Sequence, residues 1–234
     1  MKTFIRVMQK KDVDVAIAWA AAEGWQPGVN DAQCFYDADS HDFFIAEENG
    51  KPVGTVSAVS YEEDFGFIEL FIVVPKKRDR RIGVDLGQQA LSYLHKQNVG
   101  VDGVLAKVKN YESAGFKPSY SNARFEGLFA TQKAINPLIV SAHRISFEQL
   151  LDYDSAHFPA KREVFLRNWL EQPEAQSLVI IDGSKILGFG LIRPCIGCYK
   201  VEPLFAGNEE NCSRAAKCVD FSNPGRRKIL SGYS

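Results

Sequence analysis

The chain has 234 residues, which fits one large domain or two small ones at the usual ~100–200 residues per domain. Hydrophobic residues make up 45% and charged residues 24%, a composition that excludes a disordered or fibrous protein. Lys plus Arg is 28 against 29 for Asp plus Glu, and the formal net charge of −1 argues against a general nucleic-acid binder. No apolar run approaches the ~18 residues needed to span a bilayer, and the start MKTFIRVMQKKDVD lacks the apolar stretch of a secretory signal. The five cysteines, four of them between Cys195 and Cys218, therefore read as reduced thiols of a cytoplasmic protein.

In chain order, residues 12–25 predict an amphipathic helix with Val13, Ile17, Ala20 and Ala21 on one face, Asp12 as N-cap and Gly24 as terminator. Pro27-Gly28 makes a turn, and a short helix spans residues 31–36. Residues 43–48 and 53–60 form a hairpin through Asn49-Gly50. An acidic loop leads to an apolar strand over 67–74 that Pro75 ends, because proline has no amide to donate. The cationic loop KKRDRR follows, and then a helix over 82–96 with Leu86, Ala90, Leu91 and Leu94 on its buried stripe. A fifth strand over 99–105, a helix over 106–114 holding Tyr111, and two short strands within 118–129 complete the first half.

The pattern then restarts. Residues 152–169 read as a helix, 177–182 and 186–192 as a second hairpin, 199–206 as an apolar strand and 212–219 as a helix. Gly54 matches Gly188 at an offset of 134, and Glu69 matches Glu202 at 133. Two landmarks with nearly one offset point to a duplicated domain, with chance similarity between apolar hairpins as the alternative. The second copy reads as short, because only 32 residues follow Glu202 and the final NPGRRKILSGYS has no clear periodicity. It is expected to lack the fifth strand and the tyrosine helix, with either an irregular substitute from the tail or an open sheet edge.

The strand–loop–helix segment 67–86 has the order that binds a diphosphate: unpaired amides and the positive macrodipole end of a helix follow a loop of cationic side chains. Glu69 stands in an apolar strand, where a carboxylate is costly unless it is paired, lines a cleft or faces solvent from a half-buried strand. Tyr111 is a helix tyrosine whose ring could equally pack on the sheet. Cys195-x-x-Cys198 with Cys212 and Cys218 departs from zinc-ligand spacing, and His41, His95, His143 and His157 share none, so no metal is expected.

The run Val73-Val74-Pro75-Lys76-Lys77-Arg78-Asp79-Arg80-Arg81-Ile82-Gly83 resembles the coenzyme loop of the GNAT family, the GCN5-related N-acetyltransferases, whose signature is Arg/Gln-x-x-Gly-x-Gly/Ala after a strand ending Val-x-Pro. Arg78 and Gly83 match its ends, Arg81 replaces the middle glycine, and Asp79 replaces a second frequent one. Asn110-Tyr111-Glu112-Ser113-Ala114-Gly115-Phe116 resembles the family's Tyr-x-x-x-Gly-Phe helix end, and about residues 1–210 resemble a tandem, YitH-type branch with a truncated second domain. The resemblance implies an α/β fold with a mixed central sheet of the GNAT type, duplicated and incomplete in its second copy, with domains at 1–130 and 136–234. It implies acetyl transfer from acetyl-CoA, as co-substrate, to a small-molecule or lysine/peptide amine, with no nucleic-acid or membrane partner. Glu69 would be the base, Tyr111 the acid for the thiolate, and an amide within Phe71–Val73 the carbonyl donor. Phe71, Ile72, Val73, Arg78, Asp79, Arg80, Arg81, Ile82, Gly83 and Asn110 would bind the cofactor. The alternatives are a catalytically weak acyl-CoA sensor and a structural interaction protein.

Overall fold

The computed structural model describes residues 3–61, 64–78, 80–121, 123–128, 137–208 and 228–233. The chain divides into two compact units, one of Met1–Trp25 with Phe35–Ser121, the other of Gln26–Cys34 with Asn122–Ser234.

The first unit holds a five-stranded sheet in the order β1 (Phe4–Val7), β2 (Phe43–Glu48), β3 (Lys51–Tyr61), β4 (Phe65–Val73), β5 (Asn98–Val101). Its strands are antiparallel except for the parallel pair β4–β5. Asn49 and Gly50 both adopt positive φ, 51° and 70°, the turn that matches strand twist and makes this dipeptide a hairpin signal. Helix α1 (Lys10–Ala22) starts earlier than its apolar face suggests. Gln9 is the N-cap, and Asp12 sits at N3, accepting the Gln9 amide at 2.8 Å and pairing with Arg6 at 2.6 Å. Helix α2 (Asp31–Ala38) begins in the second unit and ends in the first. Helix α3 (Ile82–Tyr93) buries Ile82, Leu86 and Ala90, with Leu94 just beyond, against Phe44, Val56, Ala58 and Ile68 of the sheet. After β5, shorter than expected, a 3-10 turn (Leu105–Lys107) leads into α4 (Val108–Ser113).

The second unit holds β6 (Ala123–Leu128), β7 (Ile139–Ser141), α5 (Phe147–Ser155), α6 (Glu163–Leu170), β8 (Gln176–Asp182), β9 (Lys185–Cys195), β10 (Cys198–Ala206) and β11 (Lys228–Tyr233). The expected single helix over 152–169 is two helices, α5 and α6, because Pro159 cannot sit in a helix interior. Residues 118–121 form no strand, leaving β6 alone in that region, and the helix expected over 212–219 lies outside the described residues.

The strand registers of the two units repeat each other. Ile5↔Ala46 becomes Ile139↔Ile180, and Ala46↔Gly54 becomes Ile180↔Gly188, both at an offset of 134. Gly54↔Val73 and Ala58↔Ile68 become Gly188↔Ala206 and Ile192↔Val201, with the fourth strand at 133. The parallel pair Ile68↔Val101 becomes Val201↔Ser231, with the fifth strand at 130. Cross-strand register is fixed by which face each side chain must bury, so agreement across five strands is a duplication rather than two similar hairpins. This corrects the expectation of a missing fifth strand. The tail residues Lys228–Tyr233 supply it, and β6 pairs antiparallel along its outer side.

Candidate functional site

β4 carries a bulge. Gly66 and Ile68 lie against α3, the glycine directly under Leu94; past Leu70 the same face is taken by Phe71, near Gly87, and Val73, near Gly83. The alternation has slipped by one residue, as a bulge requires. Leu70 adopts φ 47°, in the left-handed region, and its carbonyl accepts the Thr55 hydroxyl at 2.9 Å. The pairing of β4 with β5 ends just before it, at Ile68↔Val101. Beyond this point the two chains part, and the outer edge of Glu69–Val73 has no strand beside it among the described residues.

Glu69 stands where the strands diverge. It is half-buried, opposite Ser57, on the face away from α3. On the other limb, Gly103 lies under the Tyr111 ring: a Cβ at Gly103 would meet the ring at 2.6 Å. The ring contacts Phe116 edge-on with centroids 6.1 Å apart, and burial pushes the Tyr111 phenol above its ordinary pKa. β4 and β5 thus part just before Glu69, and Tyr111 packs on Gly103, two residues beyond the end of β5. Asn110 is exposed on α4.

At the end of β4 the cofactor candidates separate into groups. Ile82 and Ile72 are buried side chains, so only their backbones can meet a ligand. The first intrahelical bond of α3 runs from the Asp85 amide to the Arg81 carbonyl, which leaves the amides of Ile82, Gly83 and Val84 without an intrahelical acceptor. A Cβ at Gly83 would meet only Val73 Cγ2, at 3.8 Å, so space lies open above this turn. Arg81 adopts φ −66°, which any residue can take; its guanidinium is 76% exposed and pairs with Asp85 at 3.0 Å along the helix. It does not fill the cradle. Arg78 donates to the Val73 carbonyl at 2.9 Å and pairs with Glu23, bracing the loop. Lys77 lies 2.5 Å and Arg80 3.9 Å from Glu48, and the Lys77 hydrogen bond, then both positive charges, hold that carboxylate below its usual range. Asp79 lies outside the described residues. A groove of about 380 Å³, lined by Lys51, Lys76, Lys77 and Val74, adjoins the same loop.

Sequence reasoning missed Asp42. It is fully buried, and among the described residues neither carboxylate oxygen has a hydrogen-bond partner beyond its own residue. Burial first, then the charges of Asp39 and Glu69, push its pKa well above the carboxylate range. An Asp before a strand carries no sequence signal for this.

In the second unit, Glu202 occupies the register position of Glu69, within the matching irregularity of β10 between Val201 and Leu204. Its surroundings differ. Lys200 lies 2.7 Å and Arg193 3.0 Å from its carboxylate. Burial would raise the Glu202 pKa, but these two cations outweigh it and lower it to about 2. Arg193, 1% exposed, also makes a two-pronged pair with Asp31 at 2.7 and 3.0 Å and lies 4.2 Å from the centre of the Trp169 ring. Cys195 and Cys198 face each other across the Ile196-Gly197 turn; burial and the neighbouring Cys198, less the effect of Arg193, push the Cys195 thiol up to about 12. Cys212 and Cys218 lie outside the described residues, and no metal-holding group occurs among those described. No described helix is long and apolar enough to cross a membrane.

Two family models match the chain: "Acetyltransferase (GNAT) family" over residues 12–116 and "Acetyltransferase (GNAT) domain" over 150–218. A holothin acyltransferase from Pseudoalteromonas sp. (strain SANK 73390) is 26% identical over 196 residues, covering 84% of this chain and 67% of the relative. The fold is similar to that of a putative acetyltransferase from Pyrococcus horikoshii, with TM-score 0.74, 18% identity, and coverage of 97% of this chain and 79% of that one. It is also similar to a GCN5-related N-acetyltransferase from Anabaena variabilis, with TM-score 0.56, 10% identity, and coverage of 100% and 66%. With a match in each of its two register-related halves, the chain belongs to the GNAT family of acyltransferases.

Proposed function

We propose that the first unit moves an acetyl group from acetyl-CoA to a primary amine, on a small molecule or on a lysine or peptide. The observation that supports this reading is the divergence of β4 and β5 beyond Ile68↔Val101, which leaves no strand beside Glu69–Val73 among the described residues. The outer edge of Glu69–Val73, with no strand beside it among the described residues, can pair with a peptide-like pantetheine arm, and the open turn at Gly83 fits a diphosphate on helix amides. Arg81, turned outward, leaves that turn clear. When bound, the thioester supplies an activated acyl carbon.

The chain's own residues have the remaining tasks. Glu69 takes the proton that the acceptor ammonium must lose, directly or through water. A backbone amide within Phe71–Val73 donates a hydrogen bond to the carbonyl oxygen as negative charge gathers there. Tyr111, kept protonated by its buried setting, gives its proton to the departing sulfur. The relative named as a holothin acyltransferase supports acyl transfer as the reaction class. The reading carries with it a cytoplasmic protein whose buried Cys34, Cys195 and Cys198 remain thiols.

The test is thiol release from acetyl-CoA with tyramine, spermidine, a lysine tripeptide and holothin as acceptors, beside calorimetric titration of acetyl-CoA. Saturable binding with amine-dependent release is expected, and Tyr111→Phe should slow release without weakening binding. Failure of acetyl-CoA to bind overturns the reading; undiminished release by Tyr111→Phe removes that residue from it.

A further inference from the structure

We propose that Glu48 is a positioning residue for the cofactor turn: through Lys77 and Arg80 it holds the loop before α3 in place, so that a diphosphate is met by the amides of α3 and not by the loop's cations. The inference rests on the acyl-transfer reading above. Glu48 is the last residue of β2, and its side chain is 6% exposed. A carboxylate so placed is costly unless cations meet it. Lys77 Nζ donates to Oε2 at 2.5 Å, and Arg80 Nη1 lies 3.9 Å from Oε1, so each oxygen faces a different residue of the loop. The carboxylate itself is well anchored. β2 is paired on both sides, with β1 and β3, and Glu48 stands opposite Lys51 at the tight Asn49-Gly50 turn.

The two cations bracket the loop. Lys77 ends a 3-10 turn (Pro75–Lys77), and Arg80 immediately precedes Arg81, the N-cap of α3. The Val74 amide donates to the Val53 carbonyl at 3.0 Å, which ties the end of β4 to the same hairpin. One anchored carboxylate thus holds the loop near its start and at its end. Donors fixed before a ligand arrives lose less freedom on binding it, so a loop held this way favours the amides of Ile82, Gly83 and Val84 as anion ligands. Four of the loop's cations are already engaged: Lys77 and Arg80 with Glu48, Arg78 with Glu23, and Arg81 with Asp85.

The duplication supplies an independent comparison. Glu48↔Lys51 becomes Asp182↔Lys185 at the 134 offset. Asp182 is exposed, and the 133 offset of the fourth strand, carried past its end, puts Glu209 and Glu210 of the sequence where Lys76 and Lys77 stand. The carboxylate is buried in the unit whose next loop carries cations, and exposed in the unit whose sequence there carries acids.

The experiment uses the full chain as wild type, Glu48→Gln and Glu48→Asp. Acetyl-CoA Kd is measured by calorimetry, amide exchange at Lys77, Arg78 and Asp85 by NMR without ligand, and kcat with tyramine, spermidine and a lysine tripeptide as amine probes. If the loop's cations were the ligands of the diphosphate, Glu48→Gln would release two of them and tighten binding. Positioning predicts the opposite sign. In Glu48→Gln, Kd should rise about tenfold or more, exchange at the three amides should quicken, and kcat at saturating acetyl-CoA should stay within about twofold of wild type. Glu48→Asp keeps the charge on a shorter stem and should move Kd the same way by less; it decides the matter if Glu48→Gln does not fold. If no probe amine turns over, Kd and exchange decide alone. An unmoved or lowered Kd, a raised Kd without faster exchange, or a fall in kcat as large as the rise in Kd would overturn the inference. Wild type failing to bind acetyl-CoA would remove the acyl-transfer reading and this inference with it. Normal wild-type binding with an unmoved Kd in the variants would remove this inference alone.

Discussion

Glu69 and Glu202 hold the same position in two copies of one strand, yet their chemistry diverges. Glu69 is half-buried at the parting of two strands, with the fully buried Asp42 among the groups close enough to feel its charge. Glu202 is 46% exposed by its side chain but held by Lys200 and Arg193, which keep it ionised down to about pH 2. A carboxylate that ionised has little affinity for an amine's proton near neutrality, however well it is placed. Register puts a carboxylate at the bulge in both units, and in the second Lys200 and Arg193 hold it ionised.

The sharpest way to break this comparison is to remove each carboxyl's charge. Glu69→Gln should lower kcat by about 10²–10⁴-fold, the range for losing a general base, with acetyl-CoA binding kept. Glu202→Gln should leave the shape of the pH–rate profile unchanged and lower the melting temperature instead. The stability Glu202 contributes is present above its ordinary pKa of 4.5 and is lost as pH falls through about 2, so the melting gap between wild type and Glu202→Gln should close on acidification. A pH–rate profile altered by Glu202→Gln would make the second unit catalytic and end the contrast.

Next in size is Arg193→Leu. It strands Asp31 in a buried site, and losing one partner of such a pair costs about 3–5 kcal/mol. Chemical denaturation should report that loss, and the Arg193→Met, Asp31→Leu pair should recover most of it. If the pair is as unstable as the single variant, the cost lies in Trp169 stacking and the Glu202 carbonyl bond rather than in the stranded charge.

The sequence made much of this legible, and the exceptions share a cause. Asn49-Gly50, the α3 stripe and the 133–134 offset were readable because each rests on local chemistry or short periodicity. The tail strand Lys228–Tyr233 was not, since KILSGY is too short to show alternation and gains its identity only from pairing with β10 and β6. The bulge at Leu70 was hidden because nothing in FIELFIVV marks a left-handed residue; glycine would have, and leucine does not. Glu69 and Tyr111 stand out in the sequence as residue types in a motif, but the point where β5 stops pairing with β4 could not be read there. Arg193 gripping Asp31 joins residues 162 apart, beyond any pattern in a single sequence.

Two glycines refine the contrast between a packed grip and an open cradle. A Cβ on Gly28 would meet Asp31 Oδ1 at 2.3 Å and Arg193 Nε at 2.8 Å, so Gly28→Ala should destabilise by about 1–3 kcal/mol as the ion pair is pushed apart. A Cβ on Gly83 meets nothing closer than 3.8 Å, and alanine suits a helix better by about 1 kcal/mol, so Gly83→Ala should hold or raise the melting temperature. The same methyl group would occupy the turn proposed to face the diphosphate, so acetyl-CoA affinity should fall while stability does not. Affinity unchanged in Gly83→Ala would move the cofactor away from this turn.

The smallest expected effect at acid pH, and one that grows with pH, concerns Asp42. Its folded pKa lies above the unfolded value because burial, and then Asp39 and Glu69, disfavour its charge. Between those two pKa values the native state holds a proton that the unfolded chain has released. Stability therefore declines as pH rises from the ordinary carboxylate range toward the folded pKa, and the favourable contribution is complete only below that range. Asp42→Asn keeps the shape and removes the titration. Its melting temperature should match wild type near pH 4 and exceed it progressively toward neutral and alkaline pH, with Tyr93, Asp39, His41 and Glu69 as the remaining titratable groups in this neighbourhood. In the second unit, the 134 offset puts Gln176, an amide already, at this position, so no matching pH dependence should arise there. A constant gap between Asp42→Asn and wild type across pH would mean that Asp42 is ionised in the fold and paired.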